Sequence, residues 1–378
     1  LIDARTDTHL WSETYDRSLD DIFAVQDEIA AAVVGQLKIS LLGEAPKTKQ
    51  VDPKAYSLYL QGRQLIRTGD LAGFKNAQKF LQDAVAIDPD FVDAWCQLSF
   101  NYRAQSDLGL RPNEEGYRLA REALDKALAL DPNAGLAHAY LGTLLASTIT
   151  ELAPAAAQFE RALALEPTNT EIMTSAMGFA RGLGRYEQVA AMGAYVVAHD
   201  PLNSQARAMY GAALVRAGRD EEGLAHLRMA LQLIPGRGLA HYTMGMTLLK
   251  RRDFDGALAE FKQEPTETWR LDGLTMVYHA LGRKAESDAA LNQVIAKYEK
   301  ESPWNIAYMY AYRGEADKCF EWLDKAMAYQ DPGLSLMAVS WQFENVFKDP
   351  RWLPFLRKVG RAPEQVAAVK FDVKIPAN

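Results

Sequence analysis

The sequence has few of the residues and patterns that mark secreted, membrane or metal-binding proteins. Its 378 residues include two cysteines, Cys96 and Cys319, which are too few and too far apart for a disulfide framework or a Cys-x-x-Cys site. No apolar run approaches the ~20 residues that a membrane-spanning helix needs, and the first residues do not form a signal-peptide pattern. We therefore expect two buried free thiols and a cytoplasmic chain that makes no membrane contact of its own.

The charge balance narrows the range of partners. The formal net charge is −7 and the isoelectric point is about 5.5, so no basic surface is expected for nucleic acid or an anionic membrane. Apolar residues make up 48% of the chain and charged residues 24%, which is the composition of a folded chain with a large core. The expected partner is a protein, a peptide segment or a sister domain.

Motifs for catalysis are missing as well. The sequence contains no G-x-x-x-x-G-K-[ST] loop for phosphate and no H-E-x-x-H zinc motif. His138 and His241 occupy matching positions in two helical segments, which predicts a structural role rather than metal binding. We predict no catalytic residue, no metal and no cofactor, and hence no enzyme activity for this chain.

The strongest positive signal is a regular spacing of prolines. Pro89, Pro132, Pro167, Pro201 and Pro235 are separated by 43, 35, 34 and 34 residues. A period near 34 residues, closed by proline, is typical of helix–turn–helix repeats. Such units stack on one another because a single unit cannot bury its apolar face alone.

Small and large residues recur in phase within these periods. One unit has Ala139, Gly142, Phe159 and Ala162 ahead of Pro167. Related sets occur around Tyr210-Gly211 and Met244-Gly245. This pattern resembles the tetratricopeptide repeat. The resemblance implies an all-α fold, a right-handed α-α superhelix with about eight helix pairs over residues 52–332.

Residues 1–45 do not follow the 34-residue period. The stretch from Leu1 to Ala30 resembles the tail of the TolB-like segment found ahead of tetratricopeptide arrays in bacterial class III adenylate/guanylate cyclases and related regulators, and a linker helix follows it. Asp349-Pro350-Arg351-Trp352 resembles the terminal helix of the same group. Because the chain begins at Leu1 rather than Met, we expect part of a longer signalling protein whose cyclase domain lies outside these residues.

The end of the chain departs from the repeat pattern. Residues 333–360 are expected to form C-terminal capping helices, and residues 361–378 a tail. Val369 to Ile375 alternate apolar and charged residues, which is the period of a half-buried strand. Two interpretations stay open, a short terminal strand paired with Leu1–Ala4 and a disordered tail.

The family resemblance implies that the first helix of each pair lines the concave face. A helical-wheel projection places a set of aromatic, methionine and arginine side chains on that face. The binding candidates are Tyr56, Tyr59, Arg63, Phe100, Arg103, Tyr242, Met246, Trp304 and Tyr308. Aromatic residues and Arg dominate binding hot spots. A shift of one residue turns a helical side chain by ~100°, so packing between helices is the alternative for each candidate.

The sequence predicts a regulatory module for protein–protein interaction in a bacterial multidomain signalling protein. Its concave face would bind a peptide or a sister domain. Two alternatives remain: a fragment of a nucleotide cyclase whose catalytic domain lies outside the chain, and an oligomerisation scaffold. The second alternative implies a homo-oligomer.

Overall fold

A computed structural model of the protein describes residues 2–3, 8–9, 28–29, 51–68, 71–147, 152–234 and 239–376. Strand β1 (Ile2–Asp3) pairs antiparallel with strand β2 (Thr8–His9). The predicted pairing of the first residues with the C-terminal tail is therefore wrong, because the partner of β1 is β2. Nearly all of the predicted TolB-like tail and linker helix in 1–45 lies outside the described residues.

Sixteen α-helices between Pro53 and Ala328 form eight consecutive pairs in the described part of the chain. The first helices of the pairs are α1 (Pro53–Thr68), α3 (Val92–Asp107), α5 (Gly135–Ala146), α7 (Thr170–Gly182), α9 (Ser204–Arg216), α11 (Ala240–Lys250), α13 (Glu267–Ala280) and α15 (Pro303–Tyr312). The second helices are α2 (Leu71–Ile87), α4 (Asn113–Leu130), α6 (Leu152–Leu165), α8 (Tyr186–His199), α10 (Asp220–Leu233), α12 (Phe254–Gln263), α14 (Lys284–Tyr298) and α16 (Ala316–Ala328). The predicted all-α fold is confirmed.

The turns within the pairs repeat with the same period as the prolines. Gly184 and Gly218, which follow α7 and α9, have φ angles of 73° and 81°. A residue without a Cβ atom adopts this left-handed conformation at little cost. Arg252 stands 34 residues after Gly218 and has a φ of 64°. The turn after α11 is therefore strained where the other two are not.

Small residues allow the two helices of a pair to approach closely. A Cβ atom on Gly142 of α5 would lie 2.9 Å from the ring of Phe159 on α6, and one on Gly245 would lie 2.5 Å from the ring of Phe261. Ala162 is fully buried at 0% exposure. The predicted placement of small residues at helix crossings is confirmed, and the space they leave is filled by large neighbours.

Beyond α16 the chain turns back along the array. Two 3₁₀ helices (Pro332–Val339 and Trp341–Val346) precede α17 (Trp352–Lys358) and α18 (Pro363–Ala367). Arg216 at the end of α9 donates a hydrogen bond to the Val339 carbonyl. Arg361 Nη2 donates to the Ala146 carbonyl at the end of α5, at 2.9 Å. The C-terminal segment therefore contacts the middle repeats as well as the last one.

None of the helices in the described ranges is both long enough and apolar enough to cross a membrane.

Candidate functional site

The first helices of the first four pairs meet at one carboxylate. Glu171, in the first turn of α7, accepts hydrogen bonds from Arg63 Nη2 on α1 at 3.3 Å and from Gln97 Nε2 on α3 at 2.6 Å. The Tyr140 hydroxyl on α5 also donates to this carboxylate. The start of α7 is itself fixed, because Asn169 Oδ1 accepts from the Glu171 backbone N–H at 3.0 Å. Glu171 thus fixes the relative positions of four successive repeats.

The electrostatics of this cluster fit a positioning role. Burial, and then the nearby Glu171 carboxylate, raise the pKa of Tyr140 well above its usual range, so the hydroxyl stays a donor at neutral pH. The Arg63 and Glu171 side chains are 36% and 35% exposed. Because solvent screens such a pair, the ion pair by itself contributes little stability. The cluster mainly orients the helices that contribute to it.

Partly exposed aromatic and arginine side chains lie on α1 and α3, two of the helices that contribute to the cluster. The Phe100 ring centroid is 5.4 Å from that of Tyr140. The Arg103 guanidinium lies 5.3 Å from the centre of the Phe100 ring and pairs with Asp107. Of the predicted candidates, four keep part of the side chain exposed, and we call them the amino-terminal surface: Tyr56, Arg63, Phe100 and Arg103. Since both arginines already pair with carboxylates, the surface offers planar apolar area more than net positive charge.

The second half of the array contains a fully buried polar cluster. Asp272 on α13 is 0% exposed and accepts hydrogen bonds from Asn305 Nδ2 at 2.6 Å and from the Tyr308 hydroxyl at 2.7 Å. The Tyr308 and Tyr242 hydroxyl oxygens are 3.1 Å apart. Burial raises the pKa of Asp272 to about 7, although its two hydrogen bonds lower it. The cluster joins α11, α13 and α15, as Glu171 joins the first four pairs.

Five predicted candidates are buried, and their assignment to an open surface is corrected. Their exposed fractions are 5% for Tyr59, 8% for Tyr242, 7% for Met246, 4% for Trp304 and 0% for Tyr308.

The cause is packing that the repeat pattern does not predict. Residues 332–346 cover α15: Trp304 Nε1 donates to Met337 Sδ at 3.1 Å, and the Phe343 ring centroid is 6.3 Å from that of Tyr308. Tyr59 packs on Phe91, with ring centroids 4.8 Å apart. The partner-binding role of the four residues of the amino-terminal surface stays a prediction.

The wheel projection selected aromatic residues and so missed the two carboxylates that organise the array. A signal was present in the sequence, because Asp272 is the one charged residue in residues 271–277 of its helix. A buried carboxylate at such a position needs hydrogen-bond donors from neighbouring helices.

The two matched histidines have the predicted structural role. His138 Nδ1 lies 2.6 Å from Gln158 Oε1, and His241 Nδ1 lies 2.8 Å from Glu260 Oε2. Each contact joins the first helix of a pair to the second helix of the same pair. Within the described ranges, no group of three or more His, Cys, Asp or Glu side chains is arranged to hold a metal ion.

Both cysteines are free and buried, as predicted. Burial raises the pKa of the Cys96 thiol well above its usual range and that of Cys319 to about 12. A thiol that stays protonated is a poor nucleophile, so neither cysteine is suited to catalysis.

Comparisons with known proteins identify the fold of the chain. No family model matches it. A stretch of 136 residues is 37% identical to "Putative adenylate cyclase 3" of Rhizobium meliloti (strain 1021), covering 33% of this chain and 23% of that protein. The match thus spans less than a quarter of the relative's length.

Solved structures support the helical-repeat architecture. The Cut9–Hcn1 heterotetramer of the APC/C aligns with a TM-score of 0.55 and 13% identity, over 90% of this chain and 60% of that one. A monomeric mutant of IFIT1 with m7Gppp-AAAA aligns with a TM-score of 0.50 and 13% identity, over 81% of this chain and 76% of that one. At this level of identity the likeness concerns the fold alone.

Proposed function

Because the chain has the tetratricopeptide-repeat fold, we propose that it is a non-catalytic binding module that holds a protein segment or a sister domain on its amino-terminal surface. The main support is a contrast between the two halves of the array. Tyr56, Arg63, Phe100 and Arg103 keep exposed area on helices that Glu171 fixes in place. The matching candidates in the second half are covered by residues of the chain itself.

The chemistry of this surface favours an apolar segment over an acidic one. Phe100 offers a planar face, and the Arg103 guanidinium that stacks on it is already paired with Asp107. An acidic ligand would have to compete with that carboxylate. An aliphatic or aromatic side chain would instead bury area against the ring. Helices held in a fixed relation also lose less entropy on binding.

The match to the Rhizobium protein supports a place for the module in a nucleotide-cyclase type of signalling protein. There the module would bind one state of the output domain more tightly than the other and so shift its equilibrium. The chain alone should not convert ATP or GTP to a cyclic nucleotide. Mass spectrometry of the products formed by the purified chain tests this, and turnover above that of a mock purification would contradict it.

The binding role is tested by capture from a lysate of the host organism with the immobilised chain. We expect Phe100→Ala/Arg103→Ala to melt close to the wild type but to lose the proteins that the wild type captures. Met229→Ala is the matched control, because Met229 is 46% exposed on the second helix α10. Full capture by the folded double variant would refute the assignment. A constant dimer that captures nothing else would favour the scaffold alternative.

A further inference from the structure

The last described residues bind the array as an extended segment. Val369 and Phe371 are 5% and 1% exposed, and Val373 and Ile375 pack partly buried against the same hydrophobic core. Residues 369–376 belong to no helix or strand. The alternating pattern that favoured a strand is therefore realised as an extended segment whose apolar side chains face helices.

The extended segment lies in a groove between α6 and α8, whose side chains bind its backbone. Arg185, which immediately precedes α8, donates from Nη1 to the Phe371 carbonyl at 2.8 Å and from Nη2 to the Val369 carbonyl. Gln188 Nε2 on α8 donates to the Phe371 carbonyl at 3.3 Å. On the other side, Glu160 Oε1 of α6 accepts from the Asp372 backbone N–H at 3.3 Å. These contacts do not depend on which side chains the segment has.

Selectivity comes from one aromatic pocket. The Phe371 ring makes edge contacts with Phe179 and Phe159, with centroid distances of 5.0 Å and 6.2 Å. Phe159 and Phe179 stack on each other at 5.1 Å, so the pocket is formed by α6 and α7. A large planar side chain fits there, and smaller apolar residues fit two positions before and after it.

A cleft lies between the C-terminal segment and the array. It is open to solvent, has a volume of about 340 Å³ and is lined on one side by Leu183 and Arg185 and on the other by Val339, Arg361 and Val366. Solvent therefore reaches the side of Arg185, one of the residues that bind the tail.

We propose that the groove between α6 and α8 is a binding site for extended peptide segments with apolar residues at alternate positions, and that residues 368–376 are its exchangeable intramolecular occupant. The external ligand is a segment of the same chemistry from another protein, with an aromatic residue at the Phe371 position. This site is separate from the amino-terminal surface. A tethered occupant competes at an effective concentration of roughly 1 mM, so the wild-type groove should be closed to dilute ligand.

The test uses the full chain with Phe371→Asp, which places a charge in the aromatic pocket. The control is Lys370→Asp, which introduces the same residue at an exposed neighbouring position. Hydrogen exchange reports release of the tail, which we expect to become about 100-fold easier in Phe371→Asp, on the scale of losing a buried aromatic side chain. Circular dichroism establishes that the array stays folded.

A fluorescein-labelled peptide of residues 368–376 is then titrated by fluorescence anisotropy. We expect Phe371→Asp to bind it with half-saturation below roughly 1 mM, while the wild type and Lys370→Asp bind it at least tenfold more weakly. Adding Arg185→Ala to Phe371→Asp should remove this binding, as should the same peptide with Asp in place of Phe371. If the array unfolds, Val369→Asp in the full chain serves as the second releasing variant, because it removes a buried contact of the tail and leaves the groove residues unchanged. The proposal would be overturned by unchanged hydrogen exchange of the tail. It would also be overturned by a released groove that does not bind the wild-type peptide.

Discussion

Replacing Asp272 with Asn should remove a pH dependence that this carboxyl group imposes on the C-terminal repeats. Asp272 is fully buried, and its pKa is raised to about 7 in the folded protein. In the unfolded chain the pKa is ~3.9. Between these values the folded state keeps a proton that the unfolded state has lost. Stability is therefore greatest below pH ~4, falls by ~1.4 kcal/mol per pH unit up to about pH 7 and is then constant.

The asparagine variant cannot titrate, so it lacks this loss, which is on the order of 4 kcal/mol in total. Both donors, Asn305 and Tyr308, contact Oδ2, and the asparagine oxygen can accept both bonds. Its amide nitrogen replaces Oδ1, which is buried and has no hydrogen-bond partner. The unpaired amide nitrogen therefore lowers the unfolding free energy of the variant by about 1–3 kcal/mol at every pH. The variant should be no more stable than the wild type near pH 4.5 and more stable at pH 8.

Neighbouring titratable groups do not change the difference in pH dependence between the wild type and the Asp272→Asn variant. Burial raises the pKa of Tyr242 and Tyr308 further above the neutral range, so both stay uncharged throughout. Burial also raises the pKa of Asp331 to about 6, but Asp331 is present in both proteins and its contribution cancels.

Hydrogen exchange with mass spectrometry measures the local stability of α13 and α15 from pH 4.5 to 8, after correction for intrinsic exchange rates. A local method is needed because long repeat arrays seldom unfold in one step. We expect the protection of the variant relative to the wild type to rise up to tenfold per pH unit and then level off near pH 7. Peptides from α1 to α4 are the internal control. Parallel pH profiles for the two proteins would refute the assignment of a raised pKa.

Three further predictions concern the repeats. Arg252→Gly should raise the local unfolding free energy at its turn by about 1 kcal/mol because it relieves a left-handed residue, whereas Gly218→Ala should lower it by a similar amount in the matching turn; hydrogen exchange of the helices next to each turn checks this, and wild-type protection in both variants would contradict it. Ala162→Leu should lower the local unfolding free energy of α5 and α6 by about 1–3 kcal/mol through overpacking, and unchanged hydrogen exchange of these two helices would show that the helix crossing is misassigned. Cys96 and Cys319 should react with a thiol reagent only in denaturant, because both are buried thiols with raised pKa; labelling of the native chain at the rate of a free thiol would show otherwise.

The sequence predicted the features that repeat and missed those that occur once. Small residues and prolines recur with the same period, so the sequence alone predicts that residues such as Gly142 and Ala162 lie at helix crossings. The fold-back of residues 332–346 has no repeat to predict it. Its consequence, the burial of Trp304 and Tyr308, depends on contacts between residues distant in the sequence.

For the tail as well, the sequence predicted the local conformation and not the binding partner. The alternation from Val369 to Ile375 correctly indicated an extended segment with one apolar side. It could not indicate that the partner is a groove between α6 and α8, because Arg185 and Gln188 provide the donors that a neighbouring strand would otherwise provide.

The central claim, that partners bind the amino-terminal surface, is tested most directly by site-specific photo-crosslinking in the host organism. A photoreactive phenylalanine analogue is placed at Phe100 or, as the control, at Met229 on the exposed side of α10. We predict that position 100 gives discrete adducts with one protein or with a sister domain, and that position 229 does not. The same adducts from both positions, or adducts from position 229 alone, would contradict the account.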